Sequence, residues 1–154
     1  MRRKEKELTR RQDLEEVLLH APVVHLGLVD DGKAYVVPMD FGYADNALFV
    51  HSALEGRKID VLKRNPEVFF EVELDHQVVP GSAHACRNWT SRFKCVMGTG
   101  RAVFISDPEG KKHALDVLMS KFAPGPFTYD DARVARTALI RIDIESMTGK
   151  IHGY

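Results

Sequence analysis

Two short turn sequences constrain the fold of the first third of the chain. Asp30-Asp31-Gly32 follows the β-rich residues 23–29, and Asp45-Asn46 follows the β-rich residues 34–43. Asp, Asn and Gly are typical of tight hairpin turns because they tolerate positive φ. A third, mostly apolar run, residues 47–51, comes directly after the second turn. The pattern predicts an antiparallel meander and excludes a βαβ alternation, in which helices separate the strands.

A helix is predicted before the first strand. Thr9 and Gln12 form a capping-box pattern, in which the hydroxyl accepts a bond from a free backbone N–H. Pro22 marks the helix end, because the residue before a proline avoids helical backbone angles. The apolar residues between them recur at i, i+3, i+4 and i+7, as one stripe of Leu14, Val17, Leu18 and Ala21.

Two more helices are predicted farther along. Residues 56–64 form a two-turn helical pattern that Asn65-Pro66 stops. Asp107 and Pro108 are typical of the N-cap and the first position of a helix. The apolar stripe of this third helix consists of Leu115, Leu118, Met119 and Phe122.

Three later segments predict strands. Residues 68–74 are β-rich, and residues 93–105 contain Gly98 and Gly100, which predict a bulge or a close backbone approach. Residues 137–145 alternate as a half-buried strand does. No element is predicted for the polar residues 75–88. The whole pattern predicts a mainly β (α+β) fold in a single domain, residues 1–154: a small barrel of about six antiparallel strands with peripheral helices.

The charge balance bears on the partners. The chain has 22 Lys and Arg and 22 Asp and Glu, so its net charge is zero. Nucleic-acid and membrane-surface partners are therefore not expected, because phosphate binding needs a positive excess. No apolar run approaches the roughly 20 residues of a transmembrane helix. Cys86 and Cys95 cannot form a disulfide framework. We expect a cytoplasmic protein.

The segment 51–58 (HSALEGRK) is the first candidate site. It predicts a strand, a loop with Ser52 and Gly56, and a helix that begins with Arg57 and Lys58. A helix N-terminus suits an anion, whereas cations there oppose the helix dipole. The two basic residues therefore indicate an anionic partner such as phosphate. A solvated basic surface turn is the alternative.

Six linked segments resemble the flavin-binding split-barrel superfamily of pyridoxamine 5′-phosphate oxidase, in particular its nitroimidazole-resistance (Nim-type) branch. They are residues 35–43 (YVVPMDFGY), 48–53 (LFVHSA), 56–60 (GRKID), 65–66 (NP), 88–92 (NWTSR) and 98–102 (GTGRA). The resemblance covers roughly residues 8–145, with both order and spacing preserved, which makes it more specific than a lone motif.

The resemblance implies that FMN binds at a homodimer interface, with each subunit contributing to both sites. Arg57 and Lys58, helped by Ser52, are then expected to bind the flavin phosphate. His51 is expected beside the cofactor as a catalytic proton donor, and a segment with Trp89 and Arg92 is expected to cover the pocket, from either subunit. The backbone expected along the isoalloxazine ring belongs to Val36, Val37, Pro38 and Met39.

The chain also departs from the pyridoxamine phosphate oxidases. Those enzymes carry Arg and Lys on the strand where this chain has Ala34, Tyr35 and Met39, and a glutamine near the position of Cys95. Their C-terminal residues for the substrate phosphate have no evident counterpart in residues 149–154. The departures argue against vitamin B6 oxidation.

The function expected from the resemblance is that of an FMN-dependent flavin reductase. NAD(P)H would be a transient electron donor, and the acceptor a small electron-poor molecule such as a nitroaromatic. Two alternatives are a non-catalytic flavin-binding module and a haem-binding protein with His51 or His152 as iron ligand. His51 could also be a strand-end histidine satisfied by backbone, and Trp89 a seal for the barrel end.

A metal site is not expected. The candidate ligands match none of the paired spacings of zinc sites, and they are His76, His84, Cys86 and Cys95. Both cysteines are interpreted as inert thiols.

Overall fold

The two predicted turns form hairpins in the computed structural model of the chain, which describes residues 3–83 and 88–154. Asp31 and Gly32, with φ of 50° and 78°, connect β2 (Val24–Asp30) to β3 (Lys33–Met39). Asp45 and Asn46, with φ of 50° and 59°, connect β4 (Phe41–Ala44) to β5 (Ala47–Ala53). Positive φ at both central residues matches the right-handed twist of the flanking strands. The predicted meander is confirmed.

The predicted single strand 34–43 is wrong, because the chain changes partner at Asp40. Before Asp40, β3 pairs with β2, and after it β4 pairs with β5. The sheet order is β3-β2-β6-β7-β8-β5-β4, so β3 and β4 are its two end strands. Since one residue joins the two ends, the sheet must curl until they meet. The result is a barrel that is split between β3 and β4.

The remaining strands are longer than predicted. They are β6 (Glu67–Val79), β7 (Thr90–Ile105) and β8 (Thr137–His152), and a short β1 (Glu7–Leu8) pairs with the end of β8. Most residues of these extensions are exposed or half-buried, and cross-strand pairing keeps them extended. The predicted irregularity near Gly98 and Gly100 is confirmed as a bulge between Thr99 and Gly100.

Four α-helices lie around the barrel in the described residues, after a short 3₁₀ turn at Lys4–Lys6. They are α1 (Arg11–His20), α2 (Arg57–Arg64), α3 (Pro108–Met119) and α4 (Asp131–Ala135), of which α4 was not predicted. None of them is long and apolar enough to cross a membrane.

The predicted caps had different outcomes. The cap at Thr9 is wrong, because Arg10 is the N-cap of α1 and makes no side-chain cap bond there. The Arg10 guanidinium instead binds Asp13 in the first turn, at 2.7 and 2.9 Å. The cap at Asp107 is confirmed, since its carboxylate accepts a bond from the Gly110 N–H at 2.6 Å. Phe122 does not belong to the stripe of α3, because the helix ends at Met119 and leaves this ring exposed.

The core fills the barrel and extends beneath α1 and α2. Alternate residues of β8, the predicted Ile140, Ile142 and Ile144, point into it, as do Val17 and Leu18 of α1. A second, smaller cluster lies between α3 and the outer face of β5 and β8. The strand ends and α2 are therefore held on a rigid frame.

Candidate functional site

The start of α2 is fixed by its apolar face. Ile59, Val61 and Leu62 are buried in the barrel core, and the helix follows Gly56, whose φ of 121° suits glycine. This anchoring leaves Arg57 and Lys58 at the first turn, beside the end of the β2–β3 hairpin. The predicted strand–loop–helix arrangement of residues 51–58 is confirmed.

Arg57 is held in place by two contacts. Its Nε donates to Asp30 Oδ2 at 2.8 Å, and its guanidinium carbon lies 4.3 Å from the centre of the Tyr35 ring. Because the guanidinium is planar and has five N–H donors, a bond from Nε leaves the outer nitrogens available. Its side chain is 61% exposed. Within residues 3–83 and 88–154, those outer nitrogens have no hydrogen-bond partner.

Asp30 also binds a second arginine. Arg64 Nη2 donates to Asp30 Oδ1 at 2.5 Å, so each carboxylate oxygen serves a different arginine. The two arginines lie seven residues apart, two turns of α2, and share one face of the helix. The bond from Arg57 is the first cause that holds the pKa of Asp30 below its usual value. The sequence reasoning missed Asp30 and Arg64, since no spacing rule links a turn residue to a helix 27 residues later.

Lys58 carries a charge without a counter-charge. Its side chain is partly buried, and this burial lowers its pKa. In the described part of the chain, no carboxylate forms an ion pair with Lys58. Desolvation disfavours the charged form of such a lysine, and an anion placed beside it would offset that cost.

The predicted ring-binding backbone lies at the free edge of the sheet. β3 pairs with β2 on one side, and on its other side no described strand pairs with it. Backbone groups along residues 36–39 are therefore available to a ligand. Pro38 can offer only its carbonyl, because proline has no N–H, and its place on an edge strand is the usual one. Val36 and Pro38 are exposed, whereas Met39 is buried.

His51 and Ser52 leave β5 on opposite faces. Successive side chains of a strand alternate, so Ser52 shares the face of Leu48 and Val50, which point into the barrel. His51 shares the outer face with Phe49 and is exposed. The two side chains therefore cannot approach one ligand from the same side.

Trp89 and Arg92 lie far from α2 within one chain. They flank the start of β7, where Val79 pairs with Thr90, whereas Gly27 near the α2 end pairs with Phe69. Ten residues of extended strand separate those two pairs, about 30 Å. Trp89 donates to the Ser82 carbonyl at 3.0 Å. The structure does not bring these two residues to Arg57 and Lys58 in one subunit.

Arg92 instead meets the C-terminal residues. Its Nη2 donates to Gln77 Oε1 at 2.7 Å, and its guanidinium carbon lies 5.1 Å from the Tyr154 ring centre. His152 is also engaged, because one ring nitrogen contacts Lys6 and the other lies 3.1 Å from Thr90 Oγ1. Its pKa is lowered, mainly by desolvation.

The other candidate ligands do not converge. Cys95 is buried, and desolvation raises the pKa of its thiol. The ring of His76 packs on Phe93, whereas His84 and Cys86 lie outside the described residues. Over the described ranges, no group of three or more His, Cys, Asp or Glu is placed to hold a metal ion.

Four surface cavities, of 250 to 550 Å³, are lined by residues other than those predicted to bind the cofactor. The most acidic of them, of 360 Å³, lies between α3 and β5, with Asp45, Asp107 and Asp143 on its wall. The candidate site consists of the first turn of α2, the free edge of β3 and the end of β5.

The curled, open sheet with peripheral helices defines a split β-barrel. The family model of pyridoxamine 5′-phosphate oxidase matches residues 10–151. The chain is 34% identical to a candidate 5-nitroimidazole antibiotic resistance protein from Bacteroides thetaiotaomicron, over 94% of this chain and 86% of that one, with a TM-score of 0.84. The chain belongs to the pyridoxamine 5′-phosphate oxidase family, and this likeness places it near the nitroimidazole-resistance branch.

More distant structures share the architecture. A FAD-binding protein from Mesorhizobium loti is 27% identical, over 96% of this chain and 98% of that one, with a TM-score of 0.70. The flavocytochrome Anf3 from Azotobacter vinelandii is 23% identical, over 97% and 71%, with a TM-score of 0.81, and it shows the fold alone. No protein of curated function gives a significant match to the chain.

Proposed function

We propose that this protein is an FMN-dependent oxidoreductase of the nitroimidazole-resistance type, which uses NAD(P)H to reduce a small electron-poor acceptor. A bound flavin supplies the redox chemistry, so the protein's part is to bind, orient and protect it. The observation that carries the proposal is the pair of cations at the first turn of α2. Among the residues that the structure describes, Lys58 is partly buried without a carboxylate partner, and the outer nitrogens of Arg57 have no hydrogen-bond partner.

The residues present fit a flavin phosphate. A dianionic phosphate provides the missing counter-charge for Lys58 and accepts bonds from the outer nitrogens of Arg57. Ser52, half-buried at the end of β5, adds a hydroxyl donor near the same helix start. The free edge of β3 supplies backbone donors and acceptors for the polar edge of the ring. FAD, which the Mesorhizobium loti protein binds, is the alternative cofactor.

A homodimer completes the site. Val36 and Phe69 pair on either side of Gly27 and point to the same outer face as Val29, and these three apolar side chains are 59%, 50% and 52% exposed. A contiguous exposed apolar patch marks an interaction surface. A second subunit on this face would also bring its own Trp89 and Arg92 toward a site that one chain leaves open.

His51 is the proposed proton donor. Histidine is the side chain that most often donates or accepts a proton in enzyme reactions, and the exposed ring of His51 is open to a reduced acceptor. The outer face of β5 keeps His51 away from the barrel interior, so it acts on a molecule outside the barrel.

The haem alternative finds less support. Both ring nitrogens of His152 are engaged, by Lys6 and Thr90, and the ring packs on Phe93. Of these two candidate iron ligands, both among the described residues, only His51 has an exposed ring without a hydrogen bond. A non-catalytic flavin-binding module needs the same phosphate site and differs only in turnover.

The test starts with the visible spectrum of the purified protein and the chromatography of what denaturation releases. A two-banded flavin spectrum that yields FMN, followed by NAD(P)H consumption with an added nitroaromatic, would support the proposal. Flavin without turnover would favour the binding module, and an intense Soret band would favour haem. A protein that neither contains nor takes up flavin would contradict the proposal.

The phosphate site is tested by the double substitution Arg57→Ala, Lys58→Ala. Two charge-assisted bonds of about 1.5–3 kcal/mol each are removed, so FMN affinity should fall by about 100-fold or more. Lys63→Ala is the matched control, because Lys63 is exposed on the same helix and lies away from the site. Unchanged FMN affinity in the double variant would refute the assignment.

A further inference from the structure

We propose that Asp30 is a positioning residue for the flavin phosphate, which acts by fixing the Arg57 guanidinium in the orientation that binds it. The inference rests on the proposed function and goes beyond it, because it concerns a residue that does not touch the cofactor. The Asp30 carboxylate, at the end of β2, accepts hydrogen bonds from both Arg57 and Arg64.

The first step is the fixed orientation of Arg57. An arginine side chain has many rotamers, and holding one of them costs entropy at the moment of binding. Here the Nε bond to Asp30 at 2.8 Å and the ring of Tyr35 at 4.3 Å fix the guanidinium plane from an edge and a face. The outer nitrogens, the pair that forms a bidentate contact with phosphate, point away from Asp30.

The second step is the rigidity of Asp30 itself. Its side chain is 14% exposed, and it is the last residue of β2, next to a turn that is fixed by two positive φ angles. Its second oxygen is bound by Arg64, two turns along α2. The carboxylate thus joins the β2–β3 hairpin to the helix and cannot follow a swinging Arg57.

The third step concerns charge. A lone carboxylate beside a phosphate site would repel the ligand, so an unneutralised Asp30 would weaken binding. Arg64 supplies the second positive charge, so the group of Asp30, Arg57, Arg64 and Lys58 keeps an excess of two positive charges. Arg64 therefore lets Asp30 position Arg57 without opposing the anion.

The substitution Asp30→Asn has two effects on FMN affinity, and they have opposite signs. Asp30→Asn removes a negative charge, which by charge alone strengthens phosphate binding. It also leaves a neutral amide that holds Arg57 weakly, which by positioning weakens phosphate binding. We expect positioning to dominate, with FMN affinity reduced by about tenfold or more.

The experiment compares FMN with riboflavin, which lacks the phosphate. Titrations followed by flavin fluorescence use the full chain, Asp30→Asn, and the control Asp31→Asn, whose neighbouring position in the turn tolerates Asn at positive φ. The expected result is a loss of FMN affinity in Asp30→Asn with riboflavin affinity unchanged, and no change in Asp31→Asn. A purely structural role would reduce both ligands together. An unchanged or increased FMN affinity would overturn the inference.

Arg57→Lys is the second variant, and an unchanged FMN affinity in it would overturn the inference whether or not Asp30→Asn folds. Lysine keeps the charge but cannot bind Asp30 through one nitrogen while presenting two others to phosphate. FMN affinity should therefore fall toward that of riboflavin, and adding Asp30→Asn should cause little further loss. Full additivity of the two substitutions would also overturn the inference.

If the wild-type chain binds neither flavin, the proposed function fails and the inference with it. If Lys58→Ala weakens FMN while Asp30→Asn does not, only the inference fails.

Discussion

Replacing Gly98 with alanine should destabilise the barrel strongly. A Cβ at this position would lie 2.1 Å from the Ser146 carbonyl oxygen and 2.6 Å from the edge of the Phe70 ring, where ordinary contacts begin near 3.4 Å. The first neighbour is backbone on the adjacent strand β8, and the second is a fully buried ring. Neither neighbour can move away without disturbing the strand pairing or the core.

The magnitude follows from these two clashes. Overpacking a rigid core site costs typically about 1–3 kcal/mol, and a lost strand hydrogen bond adds about 1 kcal/mol. We therefore expect the free energy of unfolding to fall by about 3 kcal/mol, which corresponds to a drop in Tm of about 6–12 °C for a chain of this size.

The matched control is Gly27→Ala, on strand β2 in the same barrel. Its Cβ would lie 3.4 Å from the Phe69 carbonyl oxygen, an ordinary contact, so its Tm should change little. Thermal unfolding followed by circular dichroism compares the two variants with the wild type. Equal Tm values for Gly98→Ala and Gly27→Ala would refute the packing argument.

Two further predictions concern lysines that are partly buried. Lys58→Met should stabilise the cofactor-free protein in urea titrations, because a partly desolvated cation is removed, while FMN affinity falls by about tenfold or more; an unchanged affinity would contradict the phosphate assignment. Burial lowers the pKa of Lys121 to about 8, while its Nζ donates to the Ala21 carbonyl at 2.7 Å. The unfolded chain keeps this proton up to about pH 10.4, so between about pH 8 and 10.4 it binds more protons than the folded chain. The free energy of unfolding of the wild type should therefore rise with pH over that range, relative to Lys121→Met, by at most about 1.4 kcal/mol per pH unit. Urea titrations at pH 7 and pH 9.5 that give the same difference in free energy of unfolding between the wild type and Lys121→Met would contradict this prediction.

The sequence predicts local backbone geometry correctly where the type of one or two residues determines it. Asp31-Gly32 and Asp45-Asn46 adopt the positive φ angles that their composition predicts, and Asp107 caps α3 because its carboxylate needs only a neighbouring N–H. The alternation of residues 137–145 is likewise a local property, since one face of the strand is buried throughout.

The sequence-based predictions are wrong where contacts with distant parts of the chain determine the structure. No local signal marks Asp40 as the point where a continuous β-rich run changes its partner strand. The polar run that begins at Asp75 predicts no element, yet pairing with β7 keeps residues 77–79 in strand β6. Arg10, not Thr9, is the N-cap of α1, and its guanidinium binds the Asp13 carboxylate and caps no backbone N–H of the first turn.

The residues of the candidate site also differ in whether local sequence or distant contacts reveal them. Arg57 and Lys58 were identified because a cation at a helix start is locally unfavourable, which is a property of the sequence alone. Asp30, Tyr35 and Arg64 could not be, because only the fold brings the end of β2 against α2.

The split of the barrel, which local sequence does not reveal, also bears on the proposed function. Because the chain changes partner at Asp40, β3 becomes an end strand. It pairs with β2 on one side only, so among the described residues the other edge of 36–39 has no partner strand, close to the guanidinium of Arg57. A closed barrel would have used those backbone groups in its own hydrogen bonds, and no cofactor could then bind along the strand. The one-residue break therefore leaves one edge of β3 open in the described part of the chain, and this is the edge along which we propose that the flavin ring binds. The exposed apolar side chains beside that edge, Val36 and Phe69, are the reason to expect a second subunit to cover it.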